Sequence, residues 1–544
     1  MSDGPAPPHR TFVSGLSSGA WLQTIAALVW IPQAALLALV VDGIARGEGA
    51  AAAVLPAFGI VALGALRTAV DAVGSRRLFR AARASLTGLR RDAVASLAAR
   101  SPLDAGRPAS GAAAAAVCEQ AEAVLPYLLR YRAARLRVTV VPPVLLLAVL
   151  TQSWLAALIL LVAAPLIPLF MALIGLRAKV ASEAQMLEIG SMNGLLLDRL
   201  RGLPTIRAYD AVDATARRLR AAAEALRTRS MAVLRIAFLS SAVLELFASL
   251  GVAMVAVYVG FHLLGTLGFG AWGGTMSLGA GLFVLLLAPA FFEPLRDLAA
   301  AWHDRAAGEA AQAALRDLAA PPELALPDAL TAVPPMLASA APGLMAKDLV
   351  FRYPGAARPI FNGFALQVAA GERVALLGAS GAGKSTLLAV LAGLALPEAG
   401  TIHIGETPLT PDSAARLRCR IAWLGQNPAL FAGSLRANIL LGRRDLNAEA
   451  VRRILLPGLP MTRPVGEDGA GLSGGEALRL GLARAIVAPE ATLILADEPT
   501  AHLDADTAAD VIHALLAAAE GRTLVVATHD PVLAAHMDRV VQLS

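Results

Sequence analysis

Six stretches of this 544-residue chain are long and apolar enough to cross a hydrocarbon core, at approximately 18–41, 52–72, 136–151, 154–177, 236–262 and 275–295. A bilayer core of about 30 Å takes about 20 helical residues. Buried helices of a soluble protein are the other source of such runs, but six of them, nearly free of charge, fit a membrane half better. Composition agrees: 57% of residues are hydrophobic and 16% charged, with a mean hydropathy of +0.62. Those averages suit a chain that is half membrane and half globular. The third stretch is short and shares the turn Thr151–Trp154 with the fourth. The first is too long for a cleaved signal peptide and reads as a retained anchor.

Arginine placement predicts the topology. Arginines are dense from Arg76 to Arg137 and again from Arg177 to Arg229, whereas the connections near 42–51, 151–154 and 263–274 carry almost none, Arg46 excepted. Basic residues favour the cytosolic side, so both long connections and both termini are expected there. The two connections are rich in Ala, Leu, Arg and Glu, good helix formers. They read as spanning helices continued past the bilayer, with turns at Ser101-Pro102 and Gly202-Leu203-Pro204; loose solvated linkers are the alternative. The net charge of +6 lies mainly beside apolar segments, not on one soluble face, so no nucleic-acid partner is expected. Cys118 and Cys419 are too few and too far apart for a disulfide framework or a metal site.

Ionisable residues inside the apolar runs are Arg67, Asp71, Glu245, Glu293 and Arg296. A charge at the bilayer centre costs about 2.5–3.5 kcal/mol on insertion scales and therefore faces a cavity or a partner. Arg67 and Asp71, four apart, could pair on one helix face. With Glu245 they are read as a polar substrate path; solvation at a cytosolic end is the competing reading and the favoured one for Glu293 and Arg296. Residues 317–343, with Pro321, Pro322, Pro327, Pro334, Pro335 and Pro342, suit neither helix nor strand. They separate a membrane domain at 1–316 from a second domain at 344–544.

In that second domain Val374–Gly378 reads as a buried strand and Ser385 onward as a helix. The loop between them, Gly378, Ala379, Ser380, Gly381, Ala382, Gly383, Lys384, Ser385, is a P-loop. Its amides wrap phosphates at a helix N-terminus, Lys384 bridges the terminal phosphates, and the Ser385 hydroxyl, with Thr386 beside it, faces Mg²⁺. Leu493–Ala496 is a second apolar strand ending in Asp497 and Glu498. Asp497 is placed for the Mg²⁺ shell and Glu498 to polarise the attacking water. A third strand, Thr523–Thr528, ends at His529, on the sheet edge where open α/β folds collect ligand groups. His529 would contact the γ-phosphate or orient the water.

These motifs resemble those of ATP-binding cassette (ABC) proteins across the whole second domain. The resemblance implies that Tyr353 stacks on adenine, although a core tyrosine fits too. It implies that Gln426 senses Mg²⁺ and meets the membrane domain. Ser473, Gly474 and Gly475, in Leu472–Glu476, would contact ATP held by an opposite subunit, and Asp504 would connect the two sites. Glu467 lies where exporters touch the crossing helices. One cassette then supplies half of two sites, so the chain must pair. Two departures are Glu476, where many members have glutamine, and a shortened stretch from Gln426 to Leu472, with Ile454–Pro460 in place of a longer helical segment.

Six spans ahead of one cassette look like a type 1 ABC exporter half-transporter: an all-α membrane domain fused to an α/β P-loop cassette. Further motifs (Glu122–Tyr131, Pro142-Pro143, Trp154, Ala164–Met171, Leu197–Arg207 and Glu498–Asp504) are similar to the CydD branch of the bacterial CydDC exporters of cysteine and glutathione. That resemblance implies a CydC-like partner half, thiol export to the periplasm from the inner membrane, and support of cytochrome bd oxidase assembly. Association with haem is implied by the resemblance alone. An exporter of lipid, peptide or drug, or a regulatory ABC membrane protein that does not pump, are the alternatives.

Overall fold

The computed structural model describes residues 9–165, 192, 195–196, 199, 202–272, 274–327, 340–379, 381–443, 446–466 and 469–543. The expected contributions of Ser380 and Glu467, the second half of the fourth apolar stretch (166–177) and the middle of the linker (328–339) lie outside them. Two compact units emerge: Met1–Arg91 with Ala114–Arg316, and Asp92–Ala113 with Asp317–Ser544.

The first unit is helical. Helix α1 (His9–Leu28) and α2 (Trp30–Ala45) share the first apolar stretch. Pro32 cannot donate to a carbonyl one turn back, and the regular helix is interrupted at Val29 alone, whose backbone stays helical, so Leu16–Ala45 runs on as one span. Helix α3 (Ala50–Ala99) runs for 50 residues, about 75 Å at 1.5 Å per residue, far more than a bilayer core requires. Next come α4 (Ser110–Cys118), a 3-10 turn at Gln120–Ala123, the single turn α5 (Val124–Pro126), a π-helical turn at Tyr127–Tyr131, and α6 (Arg132–Leu150). The third stretch is therefore not short: 136–151 is the end of a continuous helical run, Ser110–Leu150.

Helix α7 (Trp154–Pro165) is the described part of the fourth stretch. Gly202 caps the six-residue α8 (Leu203–Ala208), and α9 (Val212–Leu263), α10 (Leu278–Ala300) and α11 (Trp302–Ala319) follow. Among the described residues five helices are long and apolar enough to cross a membrane, and α7 is a shorter apolar one. The core of this unit forms around α10, whose Val284, Leu287 and Phe292 pack with Leu145 and Val149 of α6, Val255 of α9 and Ala34 of α2. Deleting a ring such as that of Phe292 typically costs about 3–5 kcal/mol.

The second unit holds two sheets. An antiparallel one has the order β2-β1-β4-β5, from β1 (Leu344–Phe351), β2 (Phe361–Val368), β4 (Ala399–Ile404) and β5 (Thr407–Pro408). The other has the order β11-β3-β10-β9-β6, from β3 (Arg373–Leu377), β6 (Ile421–Leu424), β9 (Leu493–Asp497), β10 (Thr523–Ala527) and β11 (Arg539–Gln542). Every pairing in it is parallel. Parallel strands covered on both faces read as unbroken apolar runs, and β9 and β10 are buried along their whole lengths. A small ribbon pairs β7 (Gly433–Ser434) with β8 (Pro464–Val465). The turn expected at Ser101-Pro102 belongs to this unit. Ser101 Oγ donates to the Leu394 carbonyl at 2.6 Å, and Leu103 packs on the core around β1 and β3.

Candidate nucleotide site

Register brings the site together. Ala527 of β10 pairs with Leu376 of β3 on one side and Asp497 of β9 on the other. The C-terminal ends of these three strands therefore end level, and the P-loop, the acidic pair and His529 all leave from one edge. Helix α12 (Lys384–Leu391) starts from that edge. Its cap, Gly383, has φ of 88°, and a Cβ there would lie 2.7 Å from Ile360 Cγ2. Only glycine accepts both the left-handed backbone and the crowding. Gly381 has φ of 85° in the same loop, and Ala382 lies between them.

Lys384 is buried, and its ammonium donates to the carbonyls of Gly378 and Ala379 at 2.9 and 3.2 Å. It also lies 3.7 Å from the Glu498 carboxylate. Glu498 has His529 Nδ1 3.1 Å from its other oxygen. Its backbone is left-handed, with φ of 46°, an uncommon conformation for a non-glycine residue. Downstream of His529, the Asp530 carboxylate accepts from Thr500 Oγ1 at 2.9 Å and caps α18 (Pro531–Ala535). Lys384, Glu498 and His529 thus lie in one continuous chain of polar contacts.

Asp497 lies beneath. Burial raises its carboxyl above the ordinary range, while a hydrogen bond from Ser385 draws it partly back. Its Oδ1 is buried without a hydrogen-bond partner. An unpaired buried carboxylate oxygen beside a P-loop serine is a donor set for a hard cation such as Mg²⁺. Gln426 lies exposed just beyond β6, the edge strand beside β9. Tyr353 is half-buried. Its hydroxyl shares a 2.9 Å hydrogen bond with Thr386 Oγ1 and its ring stands edge-on to Phe351, so the core reading and the adenine reading both retain a basis.

The signature residues start a separate helix, α16 (Gly474–Ile486). Ser473 caps it, and Glu476 returns a bond to the Ser473 amide at 2.8 Å. This reciprocal capping box fixes an N-terminus with free amides pointing outward. Gly475 is pressed against α17 (Ala505–Ala518), where a Cβ would lie 2.3 Å from Thr507 Cγ2. Asp504 caps α17 by accepting from the Thr507 amide at 3.0 Å, and that bond holds its carboxyl below the usual range. Glu476 also meets Arg463 at 3.4 Å, a contact that sequence reasoning missed.

The membrane residues group differently from the expectation. Arg67 does not pair with Asp71; its guanidinium stands 5.5 Å from the Trp30 ring, because the neighbouring helix offers an aromatic face. Glu245 pairs with Arg296 at 3.6 Å, linking α9 to α10, so Arg296 is not simply solvated. Sequence reasoning also missed Asp42, which is buried, salt-bridged to Arg46 and bonded to the Gly279 amide at the start of α10 at 2.9 Å. Arg46 is thus accounted for as the partner of that carboxylate. The i,i+4 spacing of Asp42 and Arg46 was the available signal.

Residues 361–501 match the ABC transporter family, and 138–287 match the ABC transporter transmembrane region. Over 434 residues the chain is 40% identical to the glutathione/L-cysteine transport system ATP-binding/permease protein CydD of Escherichia coli, covering 78% of this chain and 73% of that one. The chain belongs to the CydD family of ABC transporters. This CydD-family chain is also 35% identical over 271 residues to the Escherichia coli CydC protein, covering 48% of this chain and 46% of the other. A bacterial Atm1-family ABC exporter with ATP bound shares the fold, with a TM-score of 0.70 at 23% identity over 98% of this chain and 93% of that one. The CydD-family chain is thus a membrane-embedded, ATP-binding ATPase coupled to transport, with an ABC exporter fold.

Proposed function

We propose that the chain exports cysteine or glutathione from the cytoplasm to the periplasm as one half of a heterodimer with a CydC-like partner. The observation that carries this reading is the 40% identity to the CydD protein over 434 residues, more than either domain alone contains. By the same reading it supports cytochrome bd oxidase assembly and resides in the bacterial inner membrane. Cytosolic termini and a cytosolic cassette follow from the arginine asymmetry.

Within the cassette, the loop Gly378–Ser385 would cradle the phosphates, with Lys384 released from the loop carbonyls to meet them. Asp497, Ser385 and Gln426 would hold Mg²⁺, which when bound neutralises charge on the transferred phosphoryl group. Glu498 would orient and polarise the water, held in place by His529. Ser473, Gly474 and Gly475 would face the nucleotide on the partner half, with Asp504 between the two sites. Association with haem rests on the resemblance alone; the cavities beside Tyr131 and Phe247 are lined by neither histidine nor cysteine.

The test uses everted membrane vesicles carrying this chain with and without its partner half. ATP-dependent accumulation of labelled glutathione or cysteine is expected only with both halves. Uptake of neither thiol by the complete pair overturns the cargo and favours an exporter of lipid, peptide or drug.

A further inference from the structure

The turn Tyr127–Tyr131 is π-helical, a rare geometry that is frequent at functional sites. It places the rings of Tyr127 and Tyr131 in a stack with centroids 5.9 Å apart. Trp302 of α11 stands edge-on to Tyr131 at 6.0 Å, and the Arg305 guanidinium lies 5.6 Å and 5.5 Å from the Tyr131 and Trp302 rings. Gly308 lets α11 approach this closely: a Cβ there would sit 2.2 Å from Tyr127 Cβ. The result is a cavity of about 320 Å³ with an aromatic wall, into which Arg132, Arg135 and Arg305 also project.

Its charge is unbalanced. Three guanidiniums face one carboxylate, Glu309, and that carboxylate already accepts from Arg305 at 3.0 Å. Neighbouring arginines on the same segment are neutralised, Arg130 by Asp304 at 3.8 Å and Arg137 by Asp297 at 3.1 Å. Among the described residues Arg132 and Arg135 have no carboxylate partner. Solvated surface arginines are the plain alternative, but these two line a concave, aromatic-backed site where a flat carboxylate can take paired hydrogen bonds from a guanidinium fork.

We propose that this cavity binds the carboxylates of a small anionic peptide of the glutathione type, on Arg132 and Arg135, with the peptide lying over the wall of Tyr127, Tyr131 and Arg305. This rests on the thiol-export reading and deepens it. Glutathione carries two carboxylates and one ammonium; cysteine carries one of each and is held less firmly. No cysteine lines the cavity, so recognition is of the acid groups rather than of the sulfur.

Equilibrium binding to the purified heterodimer in lipid nanodiscs tests this, with labelled glutathione as probe. S-methylglutathione is expected to compete as well as glutathione, and glutathione diethyl ester about a hundredfold or more weaker, since it loses two carboxylates and each lost charge-assisted bond is worth about one decade. The double variant Arg132→Gln/Arg135→Gln is expected to lose glutathione binding to a similar degree, while Arg132→Lys/Arg135→Lys, which keeps the charges, retains part of it. Equal competition by the ester, or unchanged binding by the Gln variant in an intact heterodimer, overturns the site. Labelled succinate separates the two readings. If wild type binds succinate but no glutathione, and the Gln variant binds neither, the thiol cargo fails and the anion site stands. If wild type binds neither probe, both readings fail.

Discussion

Glu498 is held in a left-handed backbone conformation, at φ 46°, by a bond from its amide to the Ala527 carbonyl at 2.8 Å. Such strain costs about 1–3 kcal/mol and persists only where the surroundings impose it. It aims the carboxylate between Lys384 and His529 instead of along the strand. Glu498→Gln keeps the size and removes the charge, so phosphate release by the heterodimer is expected to fall by about 10²-fold or more while nucleotide still binds. Unchanged turnover would remove Glu498 from the role of base. Asp497 has the opposite problem, a charge that burial disfavours. Its folded pKa is raised, so its contribution to stability is favourable when protonated and is lost as pH rises through that raised value. Asp497→Asn is therefore expected to raise the melting temperature of the nucleotide-free protein at neutral pH, with the gain shrinking in acid. The same variant is expected to lose the stabilisation that wild type draws from Mg²⁺ with ATP. A thermal shift series over pH, with and without Mg-ATP, reads both effects.

At the scale of elements, the N-terminus of α16 is the part most exposed to a charge mismatch. Glu476 stands where many cassettes use a neutral glutamine, so its carboxylate sits at the amides proposed to face a phosphate. Arg463, at the end of the shortened stretch, meets that carboxylate at 3.4 Å and donates to the Gly471 carbonyl at 2.8 Å. The ribbon of β7 and β8 holds Arg463 in place by pairing Ser434 with the adjacent Pro464. Arg463→Ala is expected to weaken ATP-dependent turnover severalfold, through an uncompensated charge beside an anion site. Glu476→Gln should restore the loss in the double variant. Failure of that rescue in steady-state ATPase measurements would reduce Arg463 to a loop anchor. Sequence reasoning took Leu472–Glu476 only as the signature loop; the capping box was readable there, because Ser473 and Glu476 are three apart and such a box is local chemistry. The Arg463 contact was not, because thirteen residues and a ribbon turn separate it from Glu476.

Across the whole molecule the same division holds. The P-loop, the acidic strand end and the apolar spans were legible because each is decided by neighbours in sequence. Asp42 was missed because its second partner, the amide of Gly279, lies 237 residues away. The pair that spacing allowed between Arg67 and Asp71 does not form, because spacing cannot reveal that Trp30 competes for the guanidinium. The π turn at 127–131 carries no strong local signal, and the length of the third span was hidden by the arginines within it. On the proposed reading the cassette supplies Lys384 to one site and Ser473 to another, so the isolated chain is expected to hydrolyse ATP poorly and to gain activity on assembly with the second half. Equal activity alone, measured on a monodisperse monomer, would contradict shared sites. The length of α3 has a mechanical consequence. About 75 Å of helix, less about 30 Å of bilayer core, leaves an arm of about 45 Å. On such an arm a tilt of about five degrees moves the far end by about 4 Å, roughly the distance between successive Cα atoms. Small angular changes in the lipid are thereby geared into displacements that a protein surface can register.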